Sequence, residues 1–401
     1  MQKKRSPRLV FYSHDTMGLG HIRRNLLLAD AVIKAIPDAE ILLINGVREA
    51  GRFFLPAGAD VVTLPSYFKD AAGNYSPRSL GCDIKRLTTL RSNIIYAALE
   101  AFEPDIFVID NVPGGAQSEL EPALPMLAQK GVKVVLGLRD ILDTPNTVKR
   151  QWKKLNNYAN IRDYISAIWV YGDARLYDLV DAYDFSDDIR QKLTFLGYLN
   201  AQLRSRKSLP AQEIVPAIDR PYALCVAGGG QDGFQLASAF ASATFPAGTM
   251  GVLIAGAMMP QAEYDALALH ARRRTDLALV RFVSEPLELL RQARSVVAMG
   301  GYNTVTEILS FRKRALIVPR VTPRQEQWIR ATQLAKQQLV TCIHPERFSV
   351  LRLNQWLAET LPPPDPLTLL NFNGLGNFVN NIRRLLKQQT VPLDLPSKEL
   401  I

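Results

Sequence analysis

The chain has 401 residues, 47% of them hydrophobic, which is enough apolar material for two folded cores and excludes a disordered polymer. Its net charge of +10 points to an acidic partner, whether phosphorylated substrate, anionic lipid or nucleic acid, without choosing between them. Three cysteines, Cys82, Cys225 and Cys342, are too few and too dispersed for a disulfide framework or a cysteine-rich zinc site, and no apolar run reaches the roughly 18 residues of a membrane span.

In chain order, residues 9–13 form an apolar strand that runs into His14-Asp15-Thr16-Met17-Gly18-Leu19-Gly20-His21 and a helix reaching residue 36. Gly18 and Gly20 permit a tight strand-to-helix crossover, and Leu26, Leu27, Ala29 and Val32 form the face that packs on a sheet. Ligands of open parallel sheets collect beyond the carboxyl ends of strands. That rule places His21 and Asp15, each able to act as a general base, at the mouth of a cleft, with Arg23 and Arg24 just behind. Further strands at 41–45, 61–64, 106–110, 132–138, 168–171 and 194–196 alternate with helices such as 84–102 and 120–129, a pattern of α/β class with a doubly wound parallel sheet. Asp110-Asn111 and Arg139-Asp140 terminate two of these strands on the cleft side, where each pair can touch substrate, cap a helix or form an internal salt bridge. The polar stretch 66–81 reads as a long loop, a candidate lid over an acceptor.

Residues 200–219 are polar and basic and read as a linker between a first domain, 1–199, and a second, 220–370. The second repeats the plan of the first. A strand at 222–226 leads into Gly228-Gly229-Gly230-Gln231, whose successive N–H groups suit diphosphate oxygens. Strands follow at 251–255 and 277–283, the latter ending in Phe282-Val283. A strand at 295–298 then leads through Gly300-Gly301 into a helix for which Asn303 or Thr304 is the expected N-cap. Glu307 lies one turn inside, where it can accept ribose hydroxyls or, as Thr304-x-x-Glu307, close a capping box. A strand at 315–318 ends in Pro319, before a loop carrying Glu326 and Gln327, polar groups able to hold a sugar's hydroxyls. After a proline-rich break, 371–387 is an amphipathic helix within a last unit, 371–401.

The run Gly300-Gly301-Tyr302-Asn303-Thr304-Val305-Thr306-Glu307, then Leu316-Ile317-Val318-Pro319, then Glu326-Gln327 with Arg330-Ala331, resembles the donor-binding half of the GT-B glycosyltransferases, specifically the MurG-like branch. The resemblance extends to Gly228-Gly229-Gly230-Gln231, with Gly where the family has Ser, and to Gly-Leu-Gly-His ending at His21, where the family carries more glycines. It implies two Rossmann-like domains facing across a cleft, with the last helix crossing back to the first. It further implies a UDP-sugar donor with its ribose on Glu307, its uracil at Val283, its diphosphate on the Gly228 loop and the Asn303-Thr304 helix start, and its sugar toward Glu326, Gln327 and Gln231. His21 or Asp15 would deprotonate an acceptor hydroxyl held near Gly18, Gly20, Arg23, Arg24, Asp110, Asn111, Arg139 and Asp140, with inversion at the anomeric carbon. No metal motif and no D-x-D is present, so neither a metal nor another cofactor is expected beside the nucleotide-sugar substrate.

The acceptor stays open between lipid-linked and phosphorylated hydroxyl compounds. Lys85, Arg86 and Arg91, and Lys149, Arg150, Lys153 and Lys154 around Trp152, form either a solvated face or a dock for anionic lipid. The expected setting is therefore cytoplasmic, with peripheral contact to the inner membrane face as the alternative to a free protein. No aromatic RNA-binding motif or helix-turn-helix signature is present, and no nucleic acid partner is expected. Two other functions share the donor site: a GT-B-fold UDP-sugar 2-epimerase and a non-catalytic sugar-nucleotide-binding protein.

Overall fold

The computed structural model describes residues 5–14, 20–48, 54–70, 74–203, 210–283 and 285–388. Asp15 and Gly18 lie outside them, as do parts of the 66–81 loop, the linker and the tail.

Two parallel sheets organise the chain. The first contains β1 (Arg8–Ser13), β2 (Glu40–Asn45) and β3 (Ala59–Thr63). Next come the hairpin strands β4 (Tyr67–Lys69) and β5 (Tyr75–Pro77), which pair only with each other. β6 (Ile106–Asp110), β7 (Lys133–Arg139), β8 (Ala167–Tyr171) and β9 (Leu193–Phe195) complete a sheet of order β3-β2-β1-β6-β7-β8-β9. The second sheet is built from β10 (Tyr222–Val226), β11 (Met250–Ile254), β12 (Leu277–Val280), β13 (Ser295–Ala298), β14 (Arg314–Ile317) and β15 (Thr341–Cys342), in the order β12-β11-β10-β13-β14-β15. Helices cover both faces of each sheet, so central strands such as β6 are buried along their whole length and read as continuous apolar runs. The architecture is the α/β, doubly wound, two-lobed arrangement of the GT-B fold.

In each sheet the strand order reverses once, between β1 and β6 and between β10 and β13, and each reversal opens a crevice at the carboxyl ends of the strands. Tyr12 pairs with Ile109 in the first lobe and Val226 with Ala298 in the second. These two pairings bring together loops 97 residues apart in sequence in the first lobe and 72 in the second.

Several expected boundaries shift. The strand expected to reach 283 ends at Val280, because Arg281 turns to bond the carbonyl of Met259, so Phe282 and Val283 belong to a loop. Within the expected polar loop 66–81, β4 and β5 form a hairpin closed by Asp70, whose carboxylate accepts from both the backbone and the side chain of Asn74. The helix expected from 120 starts at Ala123.

The C-terminal segment returns to the first lobe at two places. Tyr198 and Asn371 exchange backbone contact, with the Tyr198 N–H donating to Asn371 O at 2.7 Å, and Leu199 bridges Asn373. The helix Gly374–Gln388 then lies on the first lobe. Leu375, Phe378, Val379 and Ile382, at i, i+3, i+4 and i+7, are its buried stripe. Phe378 packs 6.1 Å from Phe11 and 5.1 Å from Trp169, ring centroid to centroid.

Candidate active site between the lobes

The crevices face each other across a cavity of about 620 Å³ lined from both lobes. From the first lobe, helix Gly20–Ala35 begins at the cleft directly after the β1 loop, and His21 is its second residue. Asp110 is the last residue of neighbouring β6. Strands β1 and β6 are adjacent, so Asp110 Oδ2 comes within 2.7 Å of His21 Nδ1, which also lies 3.1 Å from Arg24 Nη2. With the proton on Nδ1, Asp110 accepts it and Nε2 is the basic nitrogen. Arg24 Nη2 donates to both oxygens of Asp110 at 2.6 Å. Burial works to raise the Asp110 carboxyl, but Arg24 and His21 outweigh it and hold the group well below the usual carboxylate range. His14, at the end of β1, packs its ring 4.9 Å from that of His21. Burial, with the neighbouring His21 adding to it, pushes the His14 imidazole well below its ordinary value, so it stays neutral. Its Nδ1 is buried without a hydrogen-bond partner among the described residues.

From the second lobe, the loop after β10 and the loop after β13 lie side by side because those strands pair. Gly228, Gly229 and Gln231 line the cavity, together with Gly301, Tyr302, Asn303 and Thr304. Gly230 turns away from it at φ +95°, where a Cβ would stand 2.7 Å from Ala255 O and 2.8 Å from Met259 N. Gly300 is fixed in the same way, at φ +88° and 2.9 Å from Ile317 Cγ2. The following helix, Tyr302–Ser310, has Gly301 as its N-cap and no side-chain capping bond. The expected Asn303 or Thr304 cap is therefore replaced: both residues sit inside the first turn, and the first N–H groups carry the positive end of the helix into the cavity.

Of its two expected roles, Glu307 does not take the capping box. Thr304 is not an N-cap, so no capping box forms, and the Glu307 carboxylate receives Arg23 Nη2 of the first lobe at 2.8 Å, outside the cavity lining. Asn303 Nδ2 donates to Gly20 O at 2.7 Å, a second tie between the starts of the two helices. A third is fully buried: Arg330 donates to Asp140 through Nη2 at 2.6 Å and Nε at 2.9 Å, while Tyr198 donates its hydroxyl to the same carboxylate. Of the three readings for Asp140, the internal salt bridge is the one observed.

Glu326 and Gln327 do not lie in a loop but open the helix Glu326–Lys336. Glu326 Oε1 accepts from Arg320 at 2.7 Å, and its Oε2 is buried without a partner among the described residues. Burial alone would raise this carboxyl; Arg320, Arg139 and Arg330 together keep it lowered. Arg139, at the end of β7, lines the cavity with its Nε unpaired, and burial pulls its guanidinium down to about 10. Asn111 lines the same wall. Beyond the glycine loops, Val226, Ile254, Met258, Phe282, Val283 and Pro286 make an apolar end to the cavity.

Sequence reasoning missed His14, Lys69, Arg320 and Arg324, which line the cavity too. His14 carried a usable signal, since it directly follows the first strand. Two expectations about the basic face fail. Arg91 is fully buried, paired with Glu119 through Nε at 2.5 Å, and Trp152 is buried with its ring stacked 5.1 Å from Phe185, so neither meets a membrane. No described helix is long and apolar enough to cross a bilayer.

Residues 223–369 match the family described as glycosyltransferase family 28 C-terminal domain. No curated protein matches the sequence. Among solved structures, the calicheamicin glycosyltransferase CalG4 is 14% identical, with a TM-score of 0.63 over 96% of this chain and 100% of its own. MurG of Acinetobacter baumannii is 13% identical, with a TM-score of 0.53 over 95% and 99%. A Listeria monocytogenes protein described as a candidate UDP-N-acetylglucosamine 2-epimerase is 12% identical, with a TM-score of 0.60 over 98% and 99%. The second lobe thus matches a glycosyltransferase domain family over residues 223–369, and the two facing lobes of the whole chain share the GT-B architecture of these structures.

Proposed function

We propose that the protein transfers a sugar from a nucleotide-diphosphate donor, of which a UDP-hexose or UDP-N-acetylhexosamine fits best, to an acceptor hydroxyl with inversion. The observation that carries this reading is the pairing of Asp110 with His21 in the same cavity that the helix start Gly301 to Thr304 lines from the second lobe. The diphosphate would lie against Gly228, Gly229 and the Tyr302 helix start, the base in the apolar end at Val283, and the sugar toward Gln231, Glu326 and Gln327. His21 Nε2 removes the acceptor proton while the acceptor oxygen bonds to the anomeric carbon and the bond to the β-phosphate oxygen breaks. Negative charge then grows on the departing diphosphate, where preorganised N–H groups and the helix dipole stabilise it. Neither a metal nor any other cofactor has a role in this scheme. A lipid-linked acceptor and peripheral membrane contact extend the reading, on the strength of the chain's net charge of +10.

A thermal-shift panel of nucleotide diphosphates and their sugars tests the donor assignment: at 100 times its dissociation constant a true donor adds about 2.7 kcal/mol. No shift with any member would refute it. The likeness to the Listeria protein favours UDP-sugar 2-epimerisation as a second reading. Its acid and base would have to come from Asp143, Asp232 and Glu326, each held through one oxygen: Asp143 Oδ1 accepts from Gln325 N and Thr144 N, and Asp232 and Glu326 both receive Arg320. Incubation with UDP-N-acetylglucosamine alone separates the two, since only epimerisation proceeds without an acceptor.

A further inference from the structure

Buried polar atoms in a folded chain are almost all hydrogen-bonded, so an orphan inside a cavity calls for a partner. Among the described residues, two of the orphan atoms on side chains lining the cavity are carboxylate oxygens, Asp143 Oδ2 and Glu326 Oε2. Asp143 is only 3% exposed and Glu326 5%. An unpaired oxygen on a buried carboxylate is costly, and an ionised carboxylate only accepts, so a ligand that completes both must bring O–H or N–H groups.

The two carboxylates come from opposite lobes, and a hydrogen bond brings them into one neighbourhood. Asp143 follows β7, and its Oδ1 accepts from Gln325 N at 3.0 Å and from Thr144 N at 2.8 Å. Gln325 is the N-cap of the helix Glu326–Lys336 and makes no side-chain capping bond, so the first lobe supplies a capping carboxylate to a helix of the second. Glu326 is the next residue, and its Oε1 accepts from Arg320 Nη2 at 2.7 Å. Each group is thus anchored by one oxygen and keeps the other for the cavity. The backbone at Asp143 is fixed as well. The hydroxyl of fully buried Tyr183 accepts from Leu142 N at 2.9 Å and donates to Asp143 O at 3.0 Å. Capping accounts for Asp143 Oδ1 and leaves Oδ2 without a role.

The rest of the cavity narrows what these oxygens meet. Its glycine loops and helix start suit a diphosphate and its apolar end a base, while Asp143 reaches across to the lobe that matches a glycosyltransferase domain. Arg320 already neutralises Glu326, so an uncharged hydroxyl fits better than an ammonium. The sugar is the part of such a donor that carries several hydroxyls.

We propose that Asp143 is a specificity-determining residue which, together with Glu326, accepts hydrogen bonds from two hydroxyl groups of the transferred sugar. The sugar is then read by both lobes at once, and a donor lacking either hydroxyl is disfavoured. This assignment rests on the glycosyl-transfer reading above and deepens it by giving the first lobe a part in donor selection.

The test uses the full chain. Calorimetric titration with UDP comes first; no saturable binding there refutes the donor reading, whatever Asp143 does. UDP-glucose, UDP-galactose and UDP-N-acetylglucosamine follow, and the tightest is compared with analogues that each lack one sugar hydroxyl. Asp143→Asn keeps Oδ1 for the Gln325 N–H and puts an amide NH2 in place of Oδ2, and Glu326→Gln makes the same exchange at its own position. Each substitution should weaken the parent sugar nucleotide about tenfold or more, as loss of a hydrogen bond to a charged group does. UDP affinity should stay within about twofold of wild type, which also shows that the variants fold. One deoxy analogue should bind wild type weakly and lose nothing further in Asp143→Asn, and a different one should behave so toward Glu326→Gln. A purely structural cap predicts instead that Asp143→Asn weakens UDP and every analogue by the same factor. That result, or unchanged binding of the parent in Asp143→Asn, or binding of UDP with no sugar nucleotide bound at all, overturns the proposal.

Discussion

Asp110 Oδ2 lies 2.7 Å from His21 Nδ1 while both Asp110 oxygens lie 2.6 Å from Arg24 Nη2, so a single buried carboxylate orients the base and anchors the helix that presents it. Replacing it by an amide keeps the shape and removes the charge that favours Nδ1–H. Asp110→Asn is expected to lower kcat by roughly 100 to 10,000-fold, the range for loss of general base catalysis, with little change in donor KM. Steady-state kinetics on donor and acceptor check this, and an equal loss in His21→Ala and in the double variant would show that the two act as a unit.

The Arg23–Glu307 contact sets a competition. If the ribose uses Glu307, the carboxylate must leave Arg23 first. Glu307→Ala is then expected to weaken UDP binding about tenfold, as loss of a hydrogen bond to a charged group does, whereas Arg23→Gln leaves it unchanged or improved. Calorimetry on both variants decides; an equal loss in each would give the pair a structural role in lobe contact instead.

Breaking the buried Asp140–Arg330 bridge leaves one charge stranded in the lobe interface. Arg330→Met is expected to cost about 3–5 kcal/mol, and the double change Asp140→Leu with Arg330→Met to recover much of it. Thermal unfolding of the three proteins reads this directly.

Gly300→Ala puts a side chain at φ +88° and 2.9 Å from Ile317 Cγ2. A residue forced into the left-handed region costs roughly 1–2 kcal/mol before any clash, and here the strain falls one residue ahead of the helix cap. A lowered melting temperature together with weaker UDP binding is expected, since the turn aims the helix amides.

Acid should unfold the first lobe through Asp110. Its carboxyl is held below the usual range in the folded chain. Its contribution to stability is therefore complete above about pH 4, the ordinary value for the unfolded chain, and is lost as pH falls further. Urea unfolding at pH 7 and pH 3 should show a smaller pH dependence for Asp110→Asn than for wild type.

The alternation of strands and helices, and the glycine turns after β1, β10 and β13, were legible because they depend on local backbone chemistry. The contacts between lobes were not. Arg23 meets Glu307, and Arg330 meets Asp140, across separations of 284 and 190 residues, and no local periodicity encodes such a meeting. Arg91 looked like surface charge because sequence shows a cation and not its buried partner Glu119. Trp152 among lysines suggested an interface, yet its helix turns that face inward onto Phe185. The β4–β5 hairpin escaped notice because strands of three residues among Gly, Asn and Ser leave no alternation to count.

The helix Gly374–Gln388 seals a sheet whose strands were all made earlier in synthesis. The second lobe is contiguous in the chain and can complete its core while still emerging from the ribosome. The first lobe must wait, with Phe11, Trp169 and Tyr171 lacking their cover until Phe378 arrives. Translation order and maturation order are thus inverted, and a stop codon anywhere before residue 374 would cripple the half of the molecule that was made first.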